Sequence, residues 1–200
     1  PSKIIGIGKN YADHAAEMKS ELPVEPLMFL KPSTAVIGPG EVITLPNQSS
    51  MVHHEAELAV VIGRFCKDVP RDRVSEVILG FTCANDVSAR DVQESDGQWS
   101  RAKGFDTFCP LGPWIETDLD PSDLAVTTYV GDDLRQSGNT KNMIFSAVDL
   151  VSFVSHQMTL LPGDVILTGT PAGVGPIVSG DEVEVAIEGI GSLVNTVQRA

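Results

Sequence analysis

Residues 58–62 form an uninterrupted apolar run, LAVVI, inside the stretch VHHEAELAVVIG. A continuous run of this kind, rich in β-branched residues, is typical of a strand buried on both faces, because a half-buried strand would alternate apolar with polar residues. The run therefore predicts a central strand of a sheet. A chain with such a strand must place other elements over both faces of that sheet.

Two carboxylates, Glu55 and Glu57, stand directly before this run. Side chains two residues apart in a strand point to the same face, with their backbones about 7 Å apart. Two like charges at a dry wall either raise the pKa of one group or are neutralised by a cation, so the pair is a candidate metal site. The alternative is a strand end that emerges into water with two solvated glutamates, the usual surroundings of this residue type.

A third carboxylate, Asp86, follows the apolar run of GFTCAND, where a strand feeds a turn. Taken alone, Asp86 is better explained as a turn former. Together with Glu55 and Glu57 it would make an all-oxygen ligand set, which suits a hard ion such as Mg²⁺ or Mn²⁺. Such a set leaves about three coordination positions for water or substrate.

His14 and Glu17 lie three residues apart in YADHAAEM, a stretch that predicts a helix capped by Asn10. This spacing puts both side chains on one helix face, where the carboxylate can orient the imidazole as a general base. The alternative, a solvated surface pair, is the more common situation. The remaining histidines are weaker candidates: His53, His54 and His156.

The rest of the pattern consists mostly of short apolar runs separated by glycine and proline, which predicts a β-rich chain. Helices are predicted around residues 71–79 and from Ser146 to Gln157. Residues 94–108, ESDGQWSRAKGFDTF, are polar and predict a loop that could close over a site. Two glycine-rich segments do not match a nucleotide-binding motif. In the first, which contains Gly6 and Gly8, Tyr11 takes the place of the third glycine of a dinucleotide-binding loop. In the second, GTPAGVG, no Lys-Ser/Thr pair follows, as a phosphate-binding loop would require.

The charge and length limit the functional classes. A formal net charge of -13 over 200 residues argues against nucleic acid or an anionic membrane as a partner, because both favour clustered Lys and Arg. No run approaches the roughly 18 apolar residues of a membrane helix, and the start PSKIIGIGKN lacks a signal-peptide pattern, so we expect a soluble, cytoplasmic chain.

The length suits one domain over residues 1–200, and the missing initiator Met suggests that an upstream N-terminal segment is absent. The three cysteines have no CxxC spacing and are predicted to be core thiols.

Seven blocks of the sequence, taken in order, resemble the fumarylacetoacetate hydrolase family over residues 4–197. They are GKNYADHAAE, FLKPSTAVIGPG, HHEAELAVVIG, NDVSARDVQ, RAKGFDTFCPLGPW, LLPGDVILTGTPAGVG and EVEVAIEGIGSLVN. The resemblance implies a β-rich mixed α+β fold, in which a rolled mixed β-sheet carries peripheral helices and a small lid helix. It also implies a bound Mg²⁺ or Mn²⁺ and a homodimer.

Matched motif by motif, the resemblance implies a role for nine residues. The family's acidic metal ligands correspond to Glu55, Glu57 and Asp86. Its catalytic dyad, on a lid segment of about residues 10–26, corresponds to His14 and Glu17. Its catalytic lysine and substrate-binding residues correspond to Lys103, Arg90, Gln93 and Thr170.

On this resemblance we expect divalent-metal-dependent cleavage of a C–C bond in a small 2-oxo acid through an enolate. The expected reactions are oxaloacetate decarboxylation to pyruvate and CO₂, acylpyruvate hydrolysis, or both. An isomerase of 2-hydroxyhepta-2,4-diene-1,7-dioate type compounds in aromatic catabolism would use the same residues and stays an alternative. From another class, a non-catalytic protein that binds a metal and a keto acid is also an alternative, although it would need neither the dyad nor Lys103.

Overall fold

The computed structural model describes residues 1–18 and 21–200. In these residues the chain forms fifteen strands, four α-helices and three short 3₁₀ helices. The strands are β1 (Ile4–Gly8), β2 (Leu27–Lys31), β3 (Val36–Ile37), β4 (Val42–Leu45), β5 (Val52–His54), β6 (Ala56–Ile62), β7 (Ile78–Asn85), β8 (Ser88–Ala89), β9 (Cys109–Glu116), β10 (Ala125–Val130), β11 (Asp133–Asn139), β12 (Val165–Leu167), β13 (Gly175–Pro176), β14 (Glu182–Ile187) and β15 (Gly191–Arg199). The helices are α1 (Ala12–Glu17), α2 (Arg90–Asp96), α3 (Ser100–Lys103) and α4 (Ala147–Gln157), and the 3₁₀ helices span Ser33–Ala35, Arg71–Glu76 and Thr140–Asn142.

The strands of the described residues form three sheets. A seven-stranded sheet has the order β2-β1-β12-β6-β7-β9-β3, and a five-stranded sheet has the order β11-β10-β14-β15-β4. A small third sheet, β13-β5-β8, lies beside them. Both larger sheets are mixed, because β1 runs parallel to β12 and β15 runs parallel to β4 while most other pairs are antiparallel. The predicted fold class, a curled mixed sheet with helices around it, is confirmed.

The apolar run of residues 58–62 lies in β6, the middle strand of the larger sheet, and every residue of β6 is buried. On one face, Leu58 and Val60 join the main core with apolar residues of β10, β14, β15 and α4. On the other face, Ala59 and Val61 join a second cluster with residues of β1 and β12. The prediction of a strand buried on both faces is confirmed, and each fully buried Val or Leu contributes about 1.5–3 kcal/mol of transfer free energy.

The helix predicted from Ser146 is present as α4. Ser146 is its N-cap: the Ser146 hydroxyl accepts a hydrogen bond from the Asp149 amide at 3.2 Å, and the Asp149 carboxylate accepts one from the Ser146 amide at 3.1 Å. This reciprocal capping box satisfies backbone donors that the first helical turn leaves free.

Two other helix predictions are wrong in detail. Around residues 71–79 only Arg71–Glu76 is helical, as a 3₁₀ helix, and Ile78 already belongs to β7. Ile78 pairs with Ile62 of β6, so the chain from Ile78 onward belongs to the sheet and cannot continue a helix. Asn10 is not the cap of α1, since Tyr11 occupies that position and the Asn10 side chain is bonded to distant backbone groups.

The predicted loop at residues 94–108 is also wrong in part, because it contains the end of α2 and all of α3. Gly97 separates the two helices with a φ of 65°, a left-handed conformation that costs glycine little. The predicted lid segment of about residues 10–26 contains α1, and residues 19–20 within it lie outside the described residues.

The three cysteines, Cys66, Cys83 and Cys109, are free and buried, as predicted for core thiols. Burial raises the pKa of both the Cys83 and the Cys109 thiol to about 12, so both are unreactive at neutral pH. None of the helices in the described residues combines the length and the apolar character that crossing a membrane requires.

Candidate metal centre

The three predicted acidic ligands lie together at one end of β6 and β7. Glu55 occupies the break between β5 and β6, Glu57 is the second residue of β6, and Asp86 directly follows β7. Antiparallel pairing of Ala56 with Asn85 sets this register, and the Asp86 amide donates to the Glu55 carbonyl at 2.8 Å. One carboxylate oxygen from each acid lies within 4.8 Å of the other two, and all three side chains are buried. The alternative of solvated glutamates at a strand end is therefore wrong.

Three basic side chains contact these carboxylates. The Lys103 ammonium lies 3.0 Å from one Glu55 oxygen and 2.5 Å from one Asp86 oxygen. The Lys31 ammonium contacts the other Asp86 oxygen, and the Arg90 guanidinium forms an ion pair with Glu55. The cluster thus brings three acidic and three basic groups together in a buried volume.

The carboxylates of the cluster differ in how far basic side chains compensate their charge. Burial acts to raise the pKa of Glu55, but Arg90 and Lys103 hold it below its usual range. Glu57 forms no salt bridge among the residues that the structure describes. Burial together with Asp86 and Glu55 raises its pKa well above the usual range, against the opposing effect of the Lys103 charge. A cation bound to Glu57 would remove the cost of charging it. Three carboxylates of this kind are the donor set of a hard divalent ion, so the residues present fit Mg²⁺ or Mn²⁺.

The predicted dyad is formed within α1. His14 Nδ1 lies 3.1 Å from Glu17 Oε2, and the Gly173 amide donates to both carboxylate oxygens of Glu17 at 3.1 and 3.2 Å. His14 is only 6% exposed, which is incompatible with a solvated surface pair. Glu17 therefore fixes the imidazole in orientation, and the glycine-rich segment fixes Glu17.

A cavity of about 50 Å³ joins the acids to the dyad. Phe29 and Trp99 form an apolar wall with ring centroids 5.4 Å apart, and the Lys103 ammonium lies 4.9 Å from the Phe29 centroid. Eight of the nine predicted site residues line this cavity, and Glu17 contributes through His14 instead. The eight are His14, Glu55, Glu57, Asp86, Arg90, Gln93, Lys103 and Thr170.

The segment GTPAGVG supplies backbone to the same site. The Gly169 amide donates to Glu57 Oε2 at 2.6 Å, and Gly169 has a φ of 98°. A Cβ at this position would lie 2.7 Å from Asn10 Cβ, so only glycine allows this approach. The segment thus binds Glu57 through its backbone and lines the cavity with Thr170, and it is not a phosphate loop.

Sequence reasoning missed Lys31 and Gln136. Lys31 is 1% exposed, and its position two residues after Phe29 in an apolar strand was an available signal, because both side chains point to one face. Gln136 is fully buried, but it lies in the polar stretch DDLRQSGNT, whose strand β11 contains no other buried residue. Nothing in the local sequence distinguishes it.

The histidines considered weaker candidates lie outside the cavity wall. His54 is buried, with Nδ1 3.1 Å from Gln136 Oε1. Burial and the neighbouring Arg90 lower the pKa of His53 to about 4. His156 Nδ1 contacts the Ser152 carbonyl on α4.

Comparisons with known proteins find one enzyme family. A family model described as fumarylacetoacetate (FAA) hydrolase C-terminal matches residues 3–198. The solved structure of a 5-carboxymethyl-2-hydroxymuconate delta-isomerase from Mycobacterium smegmatis is 60% identical with a TM-score of 0.94, covering 100% of this chain and 79% of that chain. The mitochondrial oxaloacetate tautomerase of Rattus norvegicus is 45% identical over 98% of this chain and 66% of its own length. A fumarylpyruvate hydrolase from Pseudomonas aeruginosa, solved in complex with Mn²⁺ and pyruvate, is 32% identical with a TM-score of 0.93, covering 99% of this chain and 90% of that chain.

Proposed function

The chain belongs to the fumarylacetoacetate hydrolase family, and from that premise we propose that it cleaves a C–C bond in a small 2-oxo acid with the help of a divalent cation. The proposed reactions are oxaloacetate decarboxylation and acylpyruvate hydrolysis. The observation that carries the proposal is the His14–Glu17 pair, whose buried imidazole lines one small cavity together with three carboxylates. A protein that only binds a ligand does not need such a pair.

In this proposal Glu55, Glu57 and Asp86 hold Mg²⁺ or Mn²⁺. The bound ion supplies Lewis-acid chemistry to the keto and carboxylate oxygens of the 2-oxo acid. The fumarylpyruvate hydrolase from Pseudomonas aeruginosa, solved with Mn²⁺ and pyruvate, supports this assignment by its similarity.

Binding of the substrate carboxylate is assigned to Arg90, Gln93 and Thr170, which line the cavity beside the acids. Arg90 Nη1 donates to Gln93 Oε1 at 2.9 Å, so the two side chains hold one another in position, and the buried Arg90 Nε has no partner in the described part of the chain. Lys103 adds positive charge beside the keto oxygen, where negative charge develops as an enolate forms.

Proton transfer is assigned to His14, oriented by Glu17. With an acylpyruvate, His14 takes a proton from water, the hydroxide adds to the distal carbonyl, and the bond from that carbon to C3 breaks. The electron pair moves to C3 as the enolate of pyruvate, which is then protonated. With oxaloacetate the C3–C4 bond breaks without water, CO₂ leaves, and the same enolate is protonated at C3.

Turnover of oxaloacetate and of acetylpyruvate with Mg²⁺ or Mn²⁺ tests the proposal, with pyruvate and CO₂ measured after subtraction of the reaction of the free metal. We expect His14→Asn to lower kcat on acetylpyruvate by about 10²–10⁴-fold, the usual contribution of a general base. His156→Asn, a change of the same type at an exposed position of α4, should leave kcat unchanged. Equal rates for the two variants would contradict the role of His14.

The metal assignment predicts that Glu55→Gln removes Mg²⁺-dependent turnover, because the change removes one anionic ligand and the partner of Arg90. Glu182→Gln, at an exposed position of β14, is the matched control. Metal-dependent turnover by Glu55→Gln at the wild-type rate would refute the assignment. Binding of Mg²⁺ and oxalate without turnover of any 2-oxo acid would instead favour the non-catalytic binding protein.

A second candidate is an isomerase or tautomerase that forms the same enolate and protonates it elsewhere without breaking a bond. It is supported by the isomerase from Mycobacterium smegmatis and by the rat oxaloacetate tautomerase. The two proposals differ in their products. An ultraviolet change on 2-hydroxyhepta-2,4-diene-1,7-dioate or enol-oxaloacetate, without pyruvate or CO₂, would select the isomerase.

A further inference from the structure

Gln136 is a fully buried amide that connects three parts of the chain around the site. Its Oε1 accepts hydrogen bonds from the Ala56 amide at 3.0 Å and from the Thr128 hydroxyl at 2.8 Å, and it lies 3.1 Å from His54 Nδ1. Its Nε2 donates to Thr170 Oγ1 at 2.7 Å and to the Pro171 carbonyl at 2.8 Å. One side chain on β11 therefore holds both the residue after Glu55 and the residue that follows Gly169.

These partners leave one orientation for the amide. The Ala56 backbone amide can only donate and the Pro171 carbonyl can only accept, so a rotated amide would place donor against donor and acceptor against acceptor. Nε2 must therefore face Thr170. This assignment rests on neighbours whose hydrogen-bonding roles are fixed, and not on the appearance of the amide itself.

The orientation of the amide fixes the role of the Thr170 hydroxyl. A hydroxyl has one proton to donate, and here its oxygen already accepts from Gln136. In the described residues the Thr170 proton has no acceptor, while Thr170, only 2% exposed, lines the cavity with the three acids. The proton is thus left for an anionic group inside that cavity.

We propose that Gln136 is a positioning residue that holds the Thr170 hydroxyl as a hydrogen-bond donor to the substrate carboxylate. The inference rests on the proposed function for the identity of the ligand. Gln136 itself does not line the cavity, so its effect on binding passes through Thr170.

Binding of oxalate in the presence of Mg²⁺, measured by calorimetry, tests the inference without requiring turnover. We expect Thr170→Val to weaken oxalate binding by about 10- to 100-fold, the effect of losing one hydrogen bond to a charged group. Thr170→Ser, which keeps the hydroxyl, should stay within about threefold of wild type. Oxalate binding by Thr170→Val as tight as wild type would overturn the inference, whatever the Gln136 variants do.

A double-mutant cycle separates positioning from general support of the fold. Gln136→Met keeps the side-chain length and removes the donors, so we expect weaker oxalate binding, and Gln136→Met/Thr170→Val should bind oxalate within about twofold of Thr170→Val alone. A purely structural role would instead multiply the two losses, and that result would refute the inference.

Asn195→Leu is the matched control, because the buried Asn195 amide also donates two hydrogen bonds, to the Gly38 and Glu41 carbonyls at 2.8 Å each, away from the cavity. It should lower the melting temperature and leave oxalate binding unchanged. If oxalate binds and the cycle behaves as expected while no 2-oxo acid is turned over, the proposed function fails and this inference stands. If a 2-oxo acid is turned over but Thr170→Val and Gln136→Met both bind oxalate as tightly as wild type, the inference alone fails.

Discussion

At the scale of single residues, the site is defined by how buried charges are paired. Lys31 is 1% exposed, and its ammonium donates to one oxygen of Asp86 and to the carbonyl of Phe108 at 2.8 Å. A buried ion pair adds little net stability compared with apolar residues of the same volume, but loss of one partner leaves an uncompensated charge. Lys31 therefore sets how strongly negative the acidic cluster is.

Replacing Lys31 by Met should lower the free energy of unfolding by about 3–5 kcal/mol, because Asp86 would keep Lys103 as its only basic partner in the described residues. Mg²⁺ should restore part of this loss, since a more negative cluster binds a cation more tightly. Urea denaturation with and without Mg²⁺ measures both effects.

Lys67→Met provides the comparison for Lys31→Met, because Lys67 forms an exposed pair with Asp68. Its loss should change the free energy of unfolding by no more than about 1 kcal/mol. A Lys31 variant as stable as this control would show that the buried charges are not balanced as the contacts indicate.

At the scale of secondary structure, the elements that carry the site are too short to form by themselves. The helix with the dyad, α1, has six residues, and a helix of that length is unstable in water without tertiary support. Asn10, directly before it, is fully buried: its Nδ2 donates to the Phe145 and Thr168 carbonyls at 2.9 and 2.8 Å, and its Oδ1 accepts from the Phe145 amide at 2.8 Å. The position of the dyad is thus set by segments more than a hundred residues away.

The start of β1 is held in a similar way by Asp164, the residue before β12. Asp164 accepts hydrogen bonds from the Ser2 hydroxyl at 2.5 Å, the Lys3 amide at 3.2 Å and the Leu161 amide at 2.8 Å, and it pairs with the Lys3 ammonium. Burial acts to raise the pKa of Asp164, but these hydrogen bonds hold it below its usual range. The folded state therefore favours the ionised carboxylate.

Asp164→Asn should accordingly lower stability at neutral pH. A depressed pKa contributes stability that is present above the unfolded value of about 3.9 and is lost as the pH falls through the folded value, so the difference between variant and wild type should shrink below about pH 4. Urea denaturation at neutral and at acidic pH measures this difference. A gap that stays constant or widens with acid would contradict the proposed link.

At the scale of the whole molecule, the site lies where the larger sheet meets the chain segments that cross its end. The acids lie in or directly beside β6 and β7, the dyad lies on α1, and Thr170 lies on the segment after β12. The homodimer implied by the family resemblance stays a prediction. Large apolar side chains are nevertheless exposed on the single chain, among them Trp114 and Ile115 at the end of β9, which are 56% and 42% exposed.

We expect sedimentation equilibrium to give twice the mass of one chain, because exposed aromatic and aliphatic side chains of this size are often covered by a partner. A single-chain mass throughout the micromolar range would contradict the prediction. Replacement of Trp114 by Ser should favour the monomer if β9 lies in the interface. Val178→Ser, at a position that is 59% exposed on the loop between β13 and β14, is the matched control.

The sequence alone determined the strand of residues 58–62 and the two acids before it, because alternation and apolar runs are local properties of a strand. It also determined the helix spacing of His14 and Glu17, which the structure confirms. It could not supply the contacts of Lys31 or Gln136. Lys31 and Asp86 are 55 positions apart and Gln136 and Ala56 are 80 apart, and only the register of paired strands brings such residues together.

The same reason explains the local predictions that were wrong. Asn10 is a residue type that often caps helices, and residues 71–79 have a helical pattern. In the structure, however, the Asn10 side chain is bonded to backbone groups of Phe145 and Thr168, and Ile78 is paired with β6. The local sequence shows neither partner. Propensity is worth a few tenths of a kcal/mol per residue, whereas burial and buried hydrogen bonds contribute about 1 kcal/mol or more each. The tertiary structure therefore decided both of these positions.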